Sequence, residues 1–165
     1  MSFLCVVMSK YIKPEDQKKI QQTYKNFFEY ERTTSDDAAT RSKKVGEMYM
    51  VVFRAILENK LRSFDMDDIL ATCSVLMRLG VVEFIHVAAR HKLPFYIVSA
   101  GFVKMIDELL RVIRLGHSSL FPKDAKFDII ANKLKFEENT HVVNGWYEPI
   151  IHTRNKLEVV NDGKR

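Results

Sequence analysis

The sequence predicts an α/β protein, with a mainly helical first part over residues 1–90 and a partial α/β core over residues 91–165. Two observations carry this. Apolar residues recur at helical spacing from about Ile20 to Ala88. Then Phe95-Tyr96-Ile97-Val98, a short continuous run of β-formers, leads into Ser99-Ala100-Gly101 and a new helical pattern. Helix, buried strand, small-residue loop and helix together are the signature of a parallel α/β unit.

The elements follow in order. Pro14-Glu15-Asp16 sets a proline and two acids in a first helical turn, where the helix dipole favours negative charge. Ile20, Tyr24, Phe27 and Phe28 then recur to about Tyr30. Residues 33–37 form a polar break in which Ser35 is the expected N-cap of a second helix. That helix carries Val45, Met48, Tyr49, Val52, Phe53, Ile56 and Leu57 as a broad apolar stripe. A third starts near Ser63 and runs through Ile69, Val75 and Leu76; Gly80 punctuates, and residues 82–88 suggest a fourth. After the strand at residues 95–98, Val103, Ile106, Leu109, Leu110 and Ile113 mark a fifth. Further strands are expected at residues 127–130 and, after the turn-like Asn144-Gly145, at residues 149–152.

The 165 residues are 47% hydrophobic and 28% charged, ordinary for a soluble globular domain with a real core. The net charge of +5 suits an anionic small ligand. Basic residues gather only in pairs such as Lys18-Lys19 and Lys43-Lys44, which reads as solvated helix faces and gives no nucleic-acid site. Cys5 and Cys73 are too few for a disulfide framework and lie in no metal-ligand spacing; Cys73, in an apolar run, reads as a buried thiol. The apolar opening at residues 1–8 is too short to span a bilayer and has no basic leader or cleavage site, so the expected setting is cytoplasmic with no membrane partner.

Ligands of open parallel sheets bind beyond the carboxyl ends of the strands, which makes Ser99-Ala100-Gly101 the place for one. A hydroxyl, small side chains and exposed backbone N–H groups suit a phosphate. The same residues as a plain turn are the competing reading.

Several stretches go further. Residues 93–101 run proline, apolar strand, Ser-Ala-Gly. Met77-Arg78-Leu79-Gly80 and Glu83-Phe84-Ile85 precede them, and Val45-Gly46-Glu47-Met48-Tyr49 lies further upstream. Downstream come Phe136-Glu137-Glu138-Asn139 and Ile150-Ile151-His152-Thr153-Arg154-Asn155-Lys156. In this order and spacing the stretches resemble the cytosolic pyrimidine 5'-nucleotidase family of haloacid-dehalogenase-type phosphatases, over residues 45–156 and more loosely back to Tyr11. The resemblance implies a partial Rossmann-like haloacid-dehalogenase core with a helical cap, and hydrolysis of nucleoside monophosphates, chiefly pyrimidine ones, with Mg²⁺. It assigns phosphate binding to Ser99, Ala100, Gly101 and Lys156, and the base or sugar to Glu47. The family's cap serine falls here on Cys73, a departure at the base subsite.

Catalysis in that superfamily needs an Asp-x-Asp after the first strand, one aspartate as nucleophile and one as acid/base, and a later acidic motif for Mg²⁺. The only Asp-x-Asp here is Asp65-Met66-Asp67, which follows Arg62-Ser63-Phe64 and reads as the charged start of a helix. Phe3 to Met8 imitates a strand but leads into Ser9-Lys10-Tyr11, without a carboxylate, and Asp162 is a lone acid in a polar tail. The expectation is a member truncated at both ends and inactive alone. Its strand at residues 95–98 has a free apolar edge, to be filled by residues 3–8, by another chain or by a longer product. The alternative is a catalytically dead relative that binds nucleotide or pairs with another subunit.

Overall fold

The computed structural model describes residues 10–72, 78–116 and 127–161. Helix α1 spans Pro14–Thr33, with proline in its first turn beside Glu15 and Asp16. It buries only Ile20; Tyr24 packs against the core and Phe28 is exposed. Helix α2 spans Ala38–Glu58 and lies along α1. Its N-cap is Asp37, not Ser35: the Asp37 carboxylate accepts the Thr40 N–H at 2.7 Å. Asp37 directly precedes the first helical residue, so its oxygen reaches the third amide of the helix, which Ser35 stands too far back to do. Val45, Met48, Val52, Phe53 and Ile56 are buried, as their spacing predicts.

Helix α3 (Ser63–Thr72) and helix α4 (Val81–Arg90) complete the helical part. Val75, Leu76 and Cys73 lie outside the described residues. Gly80 precedes α4 at φ 86°, a left-handed conformation that costs glycine nothing and a side chain much more.

Strand β1 spans Phe95–Phe102 and pairs in parallel with β2, Phe127–Asn132; helix α5, Val103–Gly116, follows β1 without a break. Ser99-Ala100-Gly101 therefore belongs to the strand and is not the expected loop. The ladder runs from Phe95↔Phe127 to Val98↔Ile130, then resumes only at Phe102↔Asn132. Over that slip the backbone is satisfied by side chains. The Ser99 hydroxyl accepts the Gly101 N–H at 3.0 Å, and the Asn132 amide donates to the Ala100 carbonyl at 2.9 Å. Small residues permit this bulge because no bulk opposes the extra turn of chain.

Strands β3 (Leu134–Phe136) and β4 (Val143–Trp146) form an antiparallel hairpin. Asn144-Gly145 thus lies within a strand; the turn is residues 137–142, closed by the Glu137 N–H to the Val142 carbonyl and by His141 at φ 57°. The strand expected at residues 149–152 is absent. Pro149 has no N–H to give a ladder, and the rest of the segment is claimed by side chains. Glu148 takes the Ile150 N–H, Asn155 takes the Ile150 carbonyl, and Asn132 takes both groups of Ile151. Helix α6, Lys156–Asn161, follows.

One core runs through both parts. Phe53 of α2, fully buried, stands 5.1 Å from the Phe102 ring of β1 and 5.4 Å from Trp146 of β4. Ile56, Leu61, Met66 and Ile69 meet Met105, Val143 and Ile150 around them. Among the described residues β1 pairs on one edge only, and Phe84, Val87, Leu93 and Tyr96 near it are exposed.

Candidate phosphate-binding site

The site is built where β1 ends. Ser99 is half-buried, and its oxygen accepts the Gly101 N–H, a role that leaves a hydroxyl able to donate its own proton. A Cβ at Gly101 would come within 3.3 Å of that oxygen, so glycine keeps the hydroxyl in place. Helix α6 packs against β1, and Lys156 is its first residue. The Lys156 ammonium makes no ion pair among the described residues.

Asn132 holds these pieces together. Only 1% exposed, it ends β2. It donates to the Ala100 and Ile151 carbonyls, both at 2.9 Å, and accepts the Ile151 N–H at 2.7 Å. One amide thereby fixes the Ser-Ala-Gly segment relative to the chain that carries Lys156.

Between Ile151 and Lys156 the polar residues make a tight turn. The Asn155 side chain accepts the His152 N–H at 2.8 Å and donates to the Ile150 carbonyl at 2.8 Å. His152 Nδ1 accepts the Arg154 N–H at 3.3 Å, which leaves the ring proton on Nε2. Burial holds the His152 imidazolium below its ordinary range. Helix α2 covers this turn: Tyr49 lies 6.3 Å from the imidazole, and a Cβ at Gly46 would stand 3.7 Å from Nε2. Burial pushes the Tyr49 phenol up to about 12. Glu47, next to Gly46, is exposed and follows the helix past the turn.

The structure thus brings the elements bearing Ser99, Ala100, Gly101 and Lys156 together and sets the Glu47 turn of α2 beside them. Cys73 lies outside the described residues. Asn132 was not legible as a site residue, since it reads only as a polar end to an apolar run. Arg154 and Glu31 were missed as well: the Arg154 guanidinium donates to both Glu31 oxygens, at 2.8 and 2.7 Å, across 123 positions.

Three acids of α3 are engaged. Asp65 takes the Arg62 N–H and guanidinium, Asp67 pairs with Lys104 at 2.8 Å, and Asp68 takes Lys10 and Tyr11. Among the described residues no three His, Cys, Asp or Glu side chains converge as a metal would require. The described residues by themselves do not fit a Mg²⁺ site. None of the described helices is long and apolar enough to cross a membrane.

A parallel strand pair joined through helix α5, with helix α6 packed on β1 and a helical part before it, is of the haloacid-dehalogenase type. The crystal structure of cytosolic 5'-nucleotidase IIIB bound to cytidine shares it, with a TM-score of 0.61 at 16% identity over 86% of this chain and 45% of that one. The family model for pyrimidine 5'-nucleotidase (UMPH-1) matches residues 1–165, and the chain belongs to that family. Among curated relatives, the 7-methylguanosine phosphate-specific 5'-nucleotidases of Homo sapiens and Gallus gallus are each 20% identical to it, over 90% and 94% of this chain. The chain spans about half the length of these relatives, 47% and 51% respectively.

Proposed function

We propose that this chain is the phosphate-binding portion of a 5'-nucleotidase. It takes nucleoside monophosphates through Ser99, the Ala100 and Gly101 backbone, and Lys156. The observation that carries the reading is the Asn132 bridge, which ties the end of β1 to the segment leading into Lys156. A serine hydroxyl, a backbone N–H and an ammonium that makes no ion pair among the described residues are what a phosphate monoester asks for. Charge compensation of this kind is a large part of phosphoryl transfer. Residues 1–90, with an N-terminal piece of the core, form the mainly helical cap region, where Glu47 and Cys73 meet the base or sugar. The complete protein hydrolyses its substrate with Mg²⁺ in the cytoplasm, the carboxylate nucleophile and the metal ligands coming from outside the described residues. Cytidine and uridine monophosphates are the first substrates to try. 7-Methylguanosine monophosphate follows, since the relatives act on that nucleotide.

A second reading is a relative that binds nucleotide or pairs with another subunit without turnover. That β1 pairs on one edge only among the described residues, beside the exposed Leu93 and Tyr96, favours it. Phosphate release from each nucleotide with Mg²⁺, alongside calorimetric binding, separates the two, with Lys156→Ala as control. Binding without release, lost in Lys156→Ala, is expected of the 165-residue chain. Absence of binding to all three nucleotides overturns the phosphate site. Release abolished by Lys156→Ala reopens Asp65 and Asp67 as candidate nucleophiles.

A further inference from the structure

The turn that carries Lys156 is anchored in two ways. Its backbone at residues 150–152 is pinned to the core by Asn132 and folded onto itself by Asn155. Within residues 153–156, the Asn155 side chain and the Arg154 N–H bond to residues 150–152 of the same turn. Among the described residues, the side-chain contact that reaches from residues 153–156 to a distant element is Arg154 to Glu31, near the end of α1. A single guanidinium nitrogen donates to both carboxylate oxygens, at 2.8 and 2.7 Å. Neither side chain is fully solvated: Arg154 is 30% exposed and Glu31 24%.

The carboxylate sits between two cations. Arg41, at the start of α2, reaches Glu31 at a longer 3.4 Å, and its buried Nε has no partner among the described residues. Arg154 is the stronger of the two partners and holds the Glu31 carboxyl below its ordinary range. Only Asn155 separates Arg154 from Lys156, so the guanidinium is held two residues from the first residue of the next helix.

We propose that Glu31 is a positioning residue: by gripping Arg154 it fixes the turn that presents Lys156 to the phosphate, and so couples the first helix to the anion site. The proposal rests on the phosphate-binding role given to Lys156 above. It differs from a surface ion pair, worth little by itself, in that the grip is directed at one short turn rather than at the stability of the whole.

The test uses the 165-residue chain with Glu31→Gln, Arg154→Gln, the double variant and Lys156→Ala. Three readouts are compared: calorimetric affinity for cytidine monophosphate and inorganic phosphate, melting temperature, and amide hydrogen exchange. The informative amides are Asn155 and Val159, bonded within the turn and the start of α6, with Val143 as a core reference. Each single variant is expected to weaken phosphate affinity about tenfold and to speed exchange at Asn155 and Val159 but not at Val143. The double variant is expected to be no worse than either single, because both act through one contact. Unchanged exchange at Asn155 and Val159, additive effects, or an affinity that Lys156→Ala abolishes and Glu31→Gln leaves intact each overturn the proposal. If the parent chain binds neither ligand, the phosphate reading fails, and the exchange data alone decide whether Glu31 orders the turn.

Discussion

Replacing Asn132 by alanine isolates the joint on which the site depends. The side chain makes three hydrogen bonds in a nearly water-free position, and its loss strands two carbonyls and the Ile151 N–H. Ile151 is itself fully buried, so water cannot replace what the amide supplied. At about 1 kcal/mol for each bond lost, rising where a buried group is left unsatisfied, the cost is about 3–5 kcal/mol. That is a large share of a typical domain's stability of about 5–15 kcal/mol. In a domain of this size it lowers the melting temperature by about 10 °C. Thermal and urea unfolding monitored by circular dichroism measure it. Asn132→Asp is expected to do at least as much harm at neutral pH, because a carboxylate faces two carbonyls to which the amide had donated. That variant recovers part of its loss on acidification: protonation restores one donor, so the folded state binds the proton more tightly than the unfolded one. A melting temperature within about 2 °C of the parent for Asn132→Ala refutes the argument that one buried amide joins β1 to the Lys156 segment.

Two more expectations follow from the same structure. Phe53→Ala removes the ring, 1% exposed, that packs between Phe102 and Trp146. It is expected to cost about 3–5 kcal/mol by denaturant titration, and a loss below about 1 kcal/mol shows that the core does not run through both parts. His152, held neutral by burial, makes stability depend on pH. The unfolded imidazole binds its proton first, so this contribution is fully present above pH 6.5 and is lost as pH falls below it. His152→Gln is expected to flatten the change in melting temperature between pH about 7.5 and about 5.5, and identical slopes in variant and parent remove His152 as the cause.

Much of this protein was determined by its sequence alone, because local rules govern those parts. The apolar stripe of α2 buried as its spacing predicts, and the β-rich run at residues 95–98 formed a strand beside residues 127–130. The order of short motifs pointed to the family that the whole-chain match shows. Tertiary structure decided what those rules do not reach. Ser99-Ala100-Gly101 reads as a loop until an asparagine thirty-two positions away takes a carbonyl out of the ladder. Residues 149–152 read as a strand until side chains claim the backbone groups a ladder needs. Asn132, Arg154 and Glu31 carry no signature of their own, because each acts through a partner remote in sequence. A hydrogen bond across 19 or 123 positions leaves no periodicity for a reader of the chain to find; only folding makes the two ends neighbours.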